Sequence, residues 1–172
     1  MSSRCLATSA LLCAVLASLP VWGVEEEPTL LSSFRDWHVY TAGMGAARTC
    51  FAVSVPKDSS PAGARRGPIF FMITSWPERK VKNEPSVVPG YPYKDMSTAE
   101  VTVGADKFAF AITKADGAWM EAPEDEQRLI AALRKGSSMS VTGVSARGTM
   151  TVDNYSLAGI SAALDKIDTD CK

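Results

Sequence analysis

A chain of 172 residues with 18 Lys and Arg against 19 Asp and Glu, a formal net charge of −1, has no excess of positive charge. That balance gives no reason to expect nucleic acid as a partner or strong attraction to an acidic membrane. One histidine in the whole chain excludes a multi-histidine metal site, and nothing in the sequence asks for a cofactor.

The first 23 residues read as a secretory leader. Arg4 gives a short positive start, an apolar stretch runs from Leu6 through Leu19, and Pro20 breaks it ahead of Val21-Trp22-Gly23. The stretch is short for a membrane span, and acidic residues follow it directly. Cys13 follows Leu12, not the small residue that a lipoprotein leader needs. The expectation is a signal peptide over 1–23, a single β-rich domain over 24–172, and no integral membrane segment once the leader is removed. Export also changes the cysteine arithmetic. Cys5 and Cys13 leave with the leader, and Cys50 and Cys171 remain in an oxidising compartment. One disulfide between them is expected, with two free thiols as the alternative.

Along the rest of the chain, "DWHVYT" at 36–41 and "TCFAVSVP" at 49–56 are aromatic and β-branched, and read as strands around a glycine-rich turn. Residues 57–68 form a polar Pro/Gly loop in which Arg65 and Arg66 are expected to be solvated. "IFFMITSW" at 69–76 is apolar on both faces, which suits a central strand. The four prolines of 77–97 leave room for a short strand only at "SVV". A hairpin is expected around Gly104-Ala105-Asp106, with Phe108, Phe110 and Ile112 facing inward.

The period changes at Pro123. An acidic first turn (Glu124, Asp125, Glu126), an apolar stripe of Leu129, Ile130 and Leu133, and a closing Gly136 predict a helix. "SMSVTGV" at 138–144 predicts a strand, Ser145 to Gly148 a reversal, and 149–154 the return strand. In that strand Met150 and Val152 are expected in the core, with Thr149, Thr151 and Asp153 on the other face. Leu157, Ile160, Leu164, Ile167 and Cys171 share one face of a final helix starting near 157. Asn154 or Ser156 is expected to cap it, although Asn154-Tyr155-Ser156 also matches a glycosylation triplet. The sum is a mainly β fold: a β-sandwich or squat barrel of about six to eight short strands with two helices packed against it.

Catalytic signals are weak. His38 alternates with Trp37 and Val39, which places it on the outer face of its strand. No serine stands in a nucleophile elbow, and there is no phosphate loop or C-x-x-C pair. Glu121, Glu124, Asp125 and Glu126 are explained by a helix start, and Asp165, Asp168 and Asp170 by a solvated helix face. The sequence therefore assigns no catalytic residue and no metal ligand.

The runs "NEPSVVPGYPYK" at 83–94, "GAWMEAPEDEQRLIAALRKGSS" at 117–138 and "VTGVSARGTMTVDNYSLAGISAALDKIDTDC" at 141–171 resemble the invasion-associated locus B family. "DWHVY" and "FFMITSWP" extend the resemblance over nearly the whole chain after the leader. It implies a small exported alphaproteobacterial protein of the periplasm, the outer membrane or the secreted fraction. The family's founding member is linked to entry of a pathogen into host red cells, and the family has no established catalytic residue, cofactor or ligand. The family pattern also carries cysteines matching Cys50 and Cys171. Two departures stand out: a less polar first turn at Met44, Ala46 and Ala47, and the basic run at 77–82.

The resulting expectation is a non-enzymatic envelope or surface protein that binds an unknown envelope or host protein. The alternative is a periplasmic small-ligand carrier or a hydrolase using carboxylates. Pro85, Pro89 and Pro92 would present Tyr91 and Tyr93 rigidly as interface anchors beside Arg65 and Arg66, or the tyrosines would lid the open end of the fold.

Overall fold

Short runs of alternating burial build most of this molecule. The computed structural model describes residues 27–171, so the expected leader and its cleavage point lie outside the described residues. The strands are β1 (Thr29–Phe34), β2 (Trp37–Ala42), β3 (Thr49–Ser54), β4 (Asp58–Ser60), β5 (Phe70–Trp76), β6 (Val81–Val88), β7 (Ala99–Val103), β8 (Asp106–Phe110), β9 (Ile112–Lys114) and β10 (Gly117–Trp119). Helix α1 (Pro123–Lys135), β11 (Ser138–Val144), β12 (Met150–Ser156) and helix α2 (Ile160–Asp170) complete the chain.

Two antiparallel sheets form a sandwich, and neither closes into a barrel. One has the order β1-β2-β3-β5-β6-β10-β9 and the other β4-β12-β11-β7-β8. The apolar strand β5 is the middle strand of the larger sheet, as its composition requires. Its Phe71 is the hub between the layers. The ring meets Trp37 of β2 at 6.2 Å, Phe110 of β8 at 6.2 Å and Tyr155 of β12 at 6.1 Å, all edge-on. Such aromatic pairs add about 0.5–1.5 kcal/mol each beyond their burial.

Helix α2 packs against the β1-β2-β3 end through Ile160, Ala163, Leu164 and Ile167, all buried. Its approach is fixed by Gly159, whose φ is +99° and where a Cβ would lie 1.9 Å from the Phe34 carbonyl oxygen. Only glycine fits there. The helix then delivers Cys171 to Cys50 of β3, and the two form a disulfide with Cα atoms 6.0 Å apart and a sequence separation of 121. Trp37 Nε1 donates to the Ser156 carbonyl oxygen (3.1 Å), a second tie between the first strands and the last elements.

Several expectations need correction. Twelve strands are present among the described residues, more than the six to eight expected, because several have only three residues. Strand β6 runs through Pro85, well beyond "SVV". Its pairing with β10 covers just Ser86 and Val87, so Pro85 lies beyond that ladder, at a place that tolerates a missing N–H. Asn83 enters the same strand in the left-handed region (φ +55°), its N–H held by Ser75 Oγ at 2.9 Å. Ile112 does not face the core. It is 47% exposed, because the chain leaves the β8 sheet there and starts β9 in the other one.

Gly136 does close α1, but with φ −77°. Its small size is what matters, since a Cβ would come within 2.7 Å of Val103 and 2.8 Å of Leu157. Helix α2 starts at Ile160, not near 157. Ser156 Oγ accepts from Ala158 N–H in the preceding turn, and the Asn154 amide donates to Asp58 of β4 instead of capping. The acidic residues of α2 do more than face solvent. Asp165 pairs with Arg134 of α1 at 2.8 Å, and Asp168 accepts from Asn83 (3.3 Å) and pairs with Lys82 (3.2 Å). Asp170 pairs with Lys166 within the helix.

The disulfide closes most of the fold into one ring. Replacing both Cys50 and Cys171 with alanine should lower the unfolding free energy by roughly 3–5 kcal/mol, read from urea denaturation with and without reductant. Reductant should then leave the variant's midpoint unchanged while lowering that of the parent.

Candidate binding site

A cleft of about 690 Å³ opens at one end of the smaller sheet, between the loop after β4, the segment after β6 and the β11–β12 turn. Backbone contacts set its walls. The Gly67 N–H donates to the Gly90 carbonyl oxygen at 2.8 Å, and Gly90 has φ +74°. A Cβ on Gly90 would lie 2.4 Å from the Gly67 oxygen, so the two loops touch where no side chain fits. On the other side Tyr93 bridges Ser145, Ala146 N–H donates to the Pro92 carbonyl oxygen (2.8 Å), and Lys94 N–H to that of Val144 (2.9 Å).

Beneath the cleft lies a buried polar network that reverses the expected phase of the last strand. Thr151, Asp153 and Tyr155 point inward, whereas Met150 is 65% exposed and Val152 half-buried. Asp153 has a partner for both carboxylate oxygens: Arg66 Nη1 donates to Oδ1 at 2.7 Å and Nη2 to Oδ2 at 2.6 Å. The side chains are only 6% and 2% exposed. Arg66 Nε also donates to the Pro89 carbonyl oxygen at 2.8 Å, and its guanidinium lies 5.1 Å from the Tyr91 ring centre. The Tyr91 hydroxyl shares a 2.6 Å hydrogen bond with Thr151 Oγ1. Burial works against the charge on Arg66, but the hydrogen bonds and charge of Asp153 outweigh it, so the guanidinium pKa is raised.

The tyrosines divide by position. Tyr91 is half-buried, while Tyr93 is buried and packs edge-on against it with ring centres 5.6 Å apart. Burial raises the hydroxyl pKa of Tyr91, Tyr93 and Tyr155 alike, with neighbouring Asp153 adding to it. Gly143 makes room for the pair, since a Cβ there would meet the Tyr91 hydroxyl at 2.7 Å and Tyr93 Cε1 at 3.0 Å.

Arg65 and Arg66 therefore have different surroundings despite being adjacent. Arg66 is buried in the floor, and Arg65 is exposed on the rim. Arg147 is exposed on the opposite wall, in the β11–β12 turn. Among the described residues neither Arg65 nor Arg147 takes part in a salt bridge or a side-chain hydrogen bond, and no carboxylate lines the cleft. With Arg66 neutralised by Asp153, the cleft has the net charge of its two rim guanidiniums.

The sequence carried a signal for the phase of β12. Met139 lies opposite Tyr155, Val141 opposite Asp153 and Gly143 opposite Thr151. Directly opposed residues share a face. The apolar Met139 and Val141 of β11 thus carry Asp153 and Tyr155 inward with them. Arg147, inside the reversal expected over Ser145 to Gly148, lines the cleft but was not singled out from the sequence.

A second cleft of about 570 Å³ lies at the start of α1 and holds Glu84 and Glu126. Burial raises the pKa of both, and the charge of Glu84 raises Glu126 further. Among the described residues no group of three or more His, Cys, Asp or Glu side chains could hold a metal. His38 is exposed, its ring nitrogen 2.9 Å from Ser33 Oγ.

The model of the family described as Invasion associated locus B (IalB) protein matches residues 37–168. The chain belongs to that family. Its fold is similar to the crystal structure of invasion associated protein b from Bartonella henselae, with a TM-score of 0.59 and 14% identity. The likeness covers 82% of this chain and 97% of that one, and at this identity it shows the fold alone. No curated protein matches the chain. The IalB family is not a known enzyme family, and among the described residues no helix is long and apolar enough to cross a membrane.

Two measurements probe this chemistry. Asp153→Ala leaves a buried guanidinium without its counter-charge and should cost about 3–5 kcal/mol in urea denaturation, whereas the double change Arg66→Met with Asp153→Leu should cost clearly less. The Glu84 carboxyl has a folded pKa above its unfolded one. Its stabilising form is protonated, present below the ordinary carboxylate range and lost as pH rises through the raised value. Glu84→Gln should therefore melt higher than the parent at about pH 7, with the gap closing by about pH 4.

Proposed function

We propose that this IalB-family chain is an exported, non-enzymatic binding protein of the periplasm or cell surface. It engages an envelope or host component through the cleft rimmed by Arg65 and Arg147. The observation that carries this reading is the pair of exposed guanidiniums without partners, held on two walls of one cleft with no carboxylate in its lining. An enclosed floor of ion pair and tyrosines holds those walls in place, so binding orders few additional groups. Export rests on the leader read in the sequence and on the family.

The contact residues follow from exposure. Arg65 and the accessible part of Tyr91 meet the partner directly. Arg66 and Tyr93 act from beneath, as supports for Tyr91. The rim charges give long-range attraction to an anionic partner and faster encounter, an effect that weakens with salt.

A second reading is favoured by the raised carboxylates Glu84 and Glu126, which share one cleft as a hydrolytic acid–base pair would. Turnover in a broad hydrolase screen, lost in Glu126→Gln, would establish that reading and displace the first.

Photocrosslinking in living cells tests the leading one. A photoreactive residue placed at Arg147 or Arg65 should give a discrete adduct, and the same residue at Lys107, on exposed strand β8, should not. Equal labelling at all three positions, or none at either arginine, would remove the cleft as the binding face.

A further inference from the structure

The chemistry of the rim narrows the ligand further, on the assumption that the cleft is the binding face. We propose that Arg65 and Arg147 grip a single phosphate monoester, carried either on a soluble sugar or on a lipid headgroup.

Charge comes first. The lining contains Arg65, Arg66 and Arg147 and no acidic residue, and the charge of Arg66 is matched by Asp153 while its Nε is held by Pro89. Two guanidiniums are thus left to act on whatever enters. Both come from chain reversals, one from the loop after β4 and one from the β11–β12 turn, so they reach the ligand from different sides. A carboxylate presents its acceptor sites in a single plane. A tetrahedral phosphate offers oxygens to two forks arriving from different directions, which is the geometry that favours Arg over Lys.

Size and lining agree. About 690 Å³ is the volume of a small-molecule site, not of a flat protein interface. Thr149 adds a hydroxyl beside the arginines, and Pro61, Ala64, Gly90 and Ala146 line the cleft without long side chains. The half-buried Tyr91 offers an aromatic edge to the body of a sugar or a glycerol backbone. Its orientation is fixed by Thr151 and Arg66, so the ligand does not have to order it.

The test is a two-dimensional NMR titration of the full folded chain with glucose 6-phosphate and, separately, citrate. A parallel arm uses phosphatidylcholine vesicles with and without phosphatidic acid. Saturable shifts are expected at the amides of 64–66 and 145–149, at lower concentration for the phosphate than for citrate. The double variant R65Q/R147Q should bind at least about tenfold more weakly with an unchanged melting temperature, because the Arg66–Asp153 pair is untouched. R65K/R147K, which keeps the charge and removes the forks, should fall between. Binding to phosphatidic acid vesicles without glucose 6-phosphate binding assigns the source to a lipid, and the reverse to a soluble ester.

Absence of saturable binding to glucose 6-phosphate and to the doped vesicles overturns the proposal, as does equal binding by R65Q/R147Q or a preference for citrate. Adducts at Arg147 in cells together with absent phosphate binding would leave the cleft as a partner face and reject the phosphate alone. Phosphate binding without adducts would do the opposite.

Discussion

The buried pairing of Arg66 with Asp153 is the interaction on which the functional end of this molecule depends. Removing two charges from water costs several kcal/mol each, and is tolerated only where geometry is good and the remaining donors are satisfied. Here the fork is bidentate, and each carboxylate oxygen and each Arg66 nitrogen has a partner. Once that pair is in place, much else follows. The loop carrying Arg66 must come down onto the β6 side of the sandwich, the Tyr91 ring acquires a cation above it, and β12 must turn its polar residues inward. A hydrophobic pair of similar volume would recover most of that stability. The ion pair instead fixes which loop sits against which strand.

That same interaction explains what was hard to see in the sequence. Composition and spacing made the strand at β5, the hairpin of β7 and β8, helix α1 and the stripe of α2 legible, since each has a hydrophobic period and punctuation at its ends. The disulfide followed from counting the cysteines left after the expected leader is set aside. The phase of β12 was not legible in its own hydropathy, because Met150 and Val152 are more apolar than Thr151 and Asp153. It shows only through the pairing with Met139 and Val141 of β11 and through distant partners, Arg66 for Asp153 and Tyr91 for Thr151. Strand β6 was obscured for a similar reason: Pro85 breaks propensity, yet the pairing with β10 stops short of it.

The candidate site was visible in fragments. Tyr91, Tyr93, Arg65 and Arg66 were singled out by type, and Arg147 was passed over as a turn residue. What the fold adds is the division of labour between adjacent residues: Arg66 in the floor and Arg65 on the rim, Tyr93 underneath and Tyr91 at the surface. Sequence neighbours on a loop can face opposite environments, and nothing in their letters tells which will be buried. Membership of the IalB family, together with the shared fold at 14% identity, shows a framework that persists across wide sequence divergence.

The covalent ring closed by Cys50 and Cys171 also has a mechanical meaning. A pull applied to the chain before Cys50 and after Cys171 passes through the sulfur–sulfur bond and bypasses the 121-residue separation between them. Among the described strands β1 and β2 precede the ring, whereas the residues lining the cleft all lie within it, so force entering through those two strands reaches the sulfur–sulfur bond without running along the cleft walls. The cleft walls and the path of an applied load are thereby placed on separate parts of the chain.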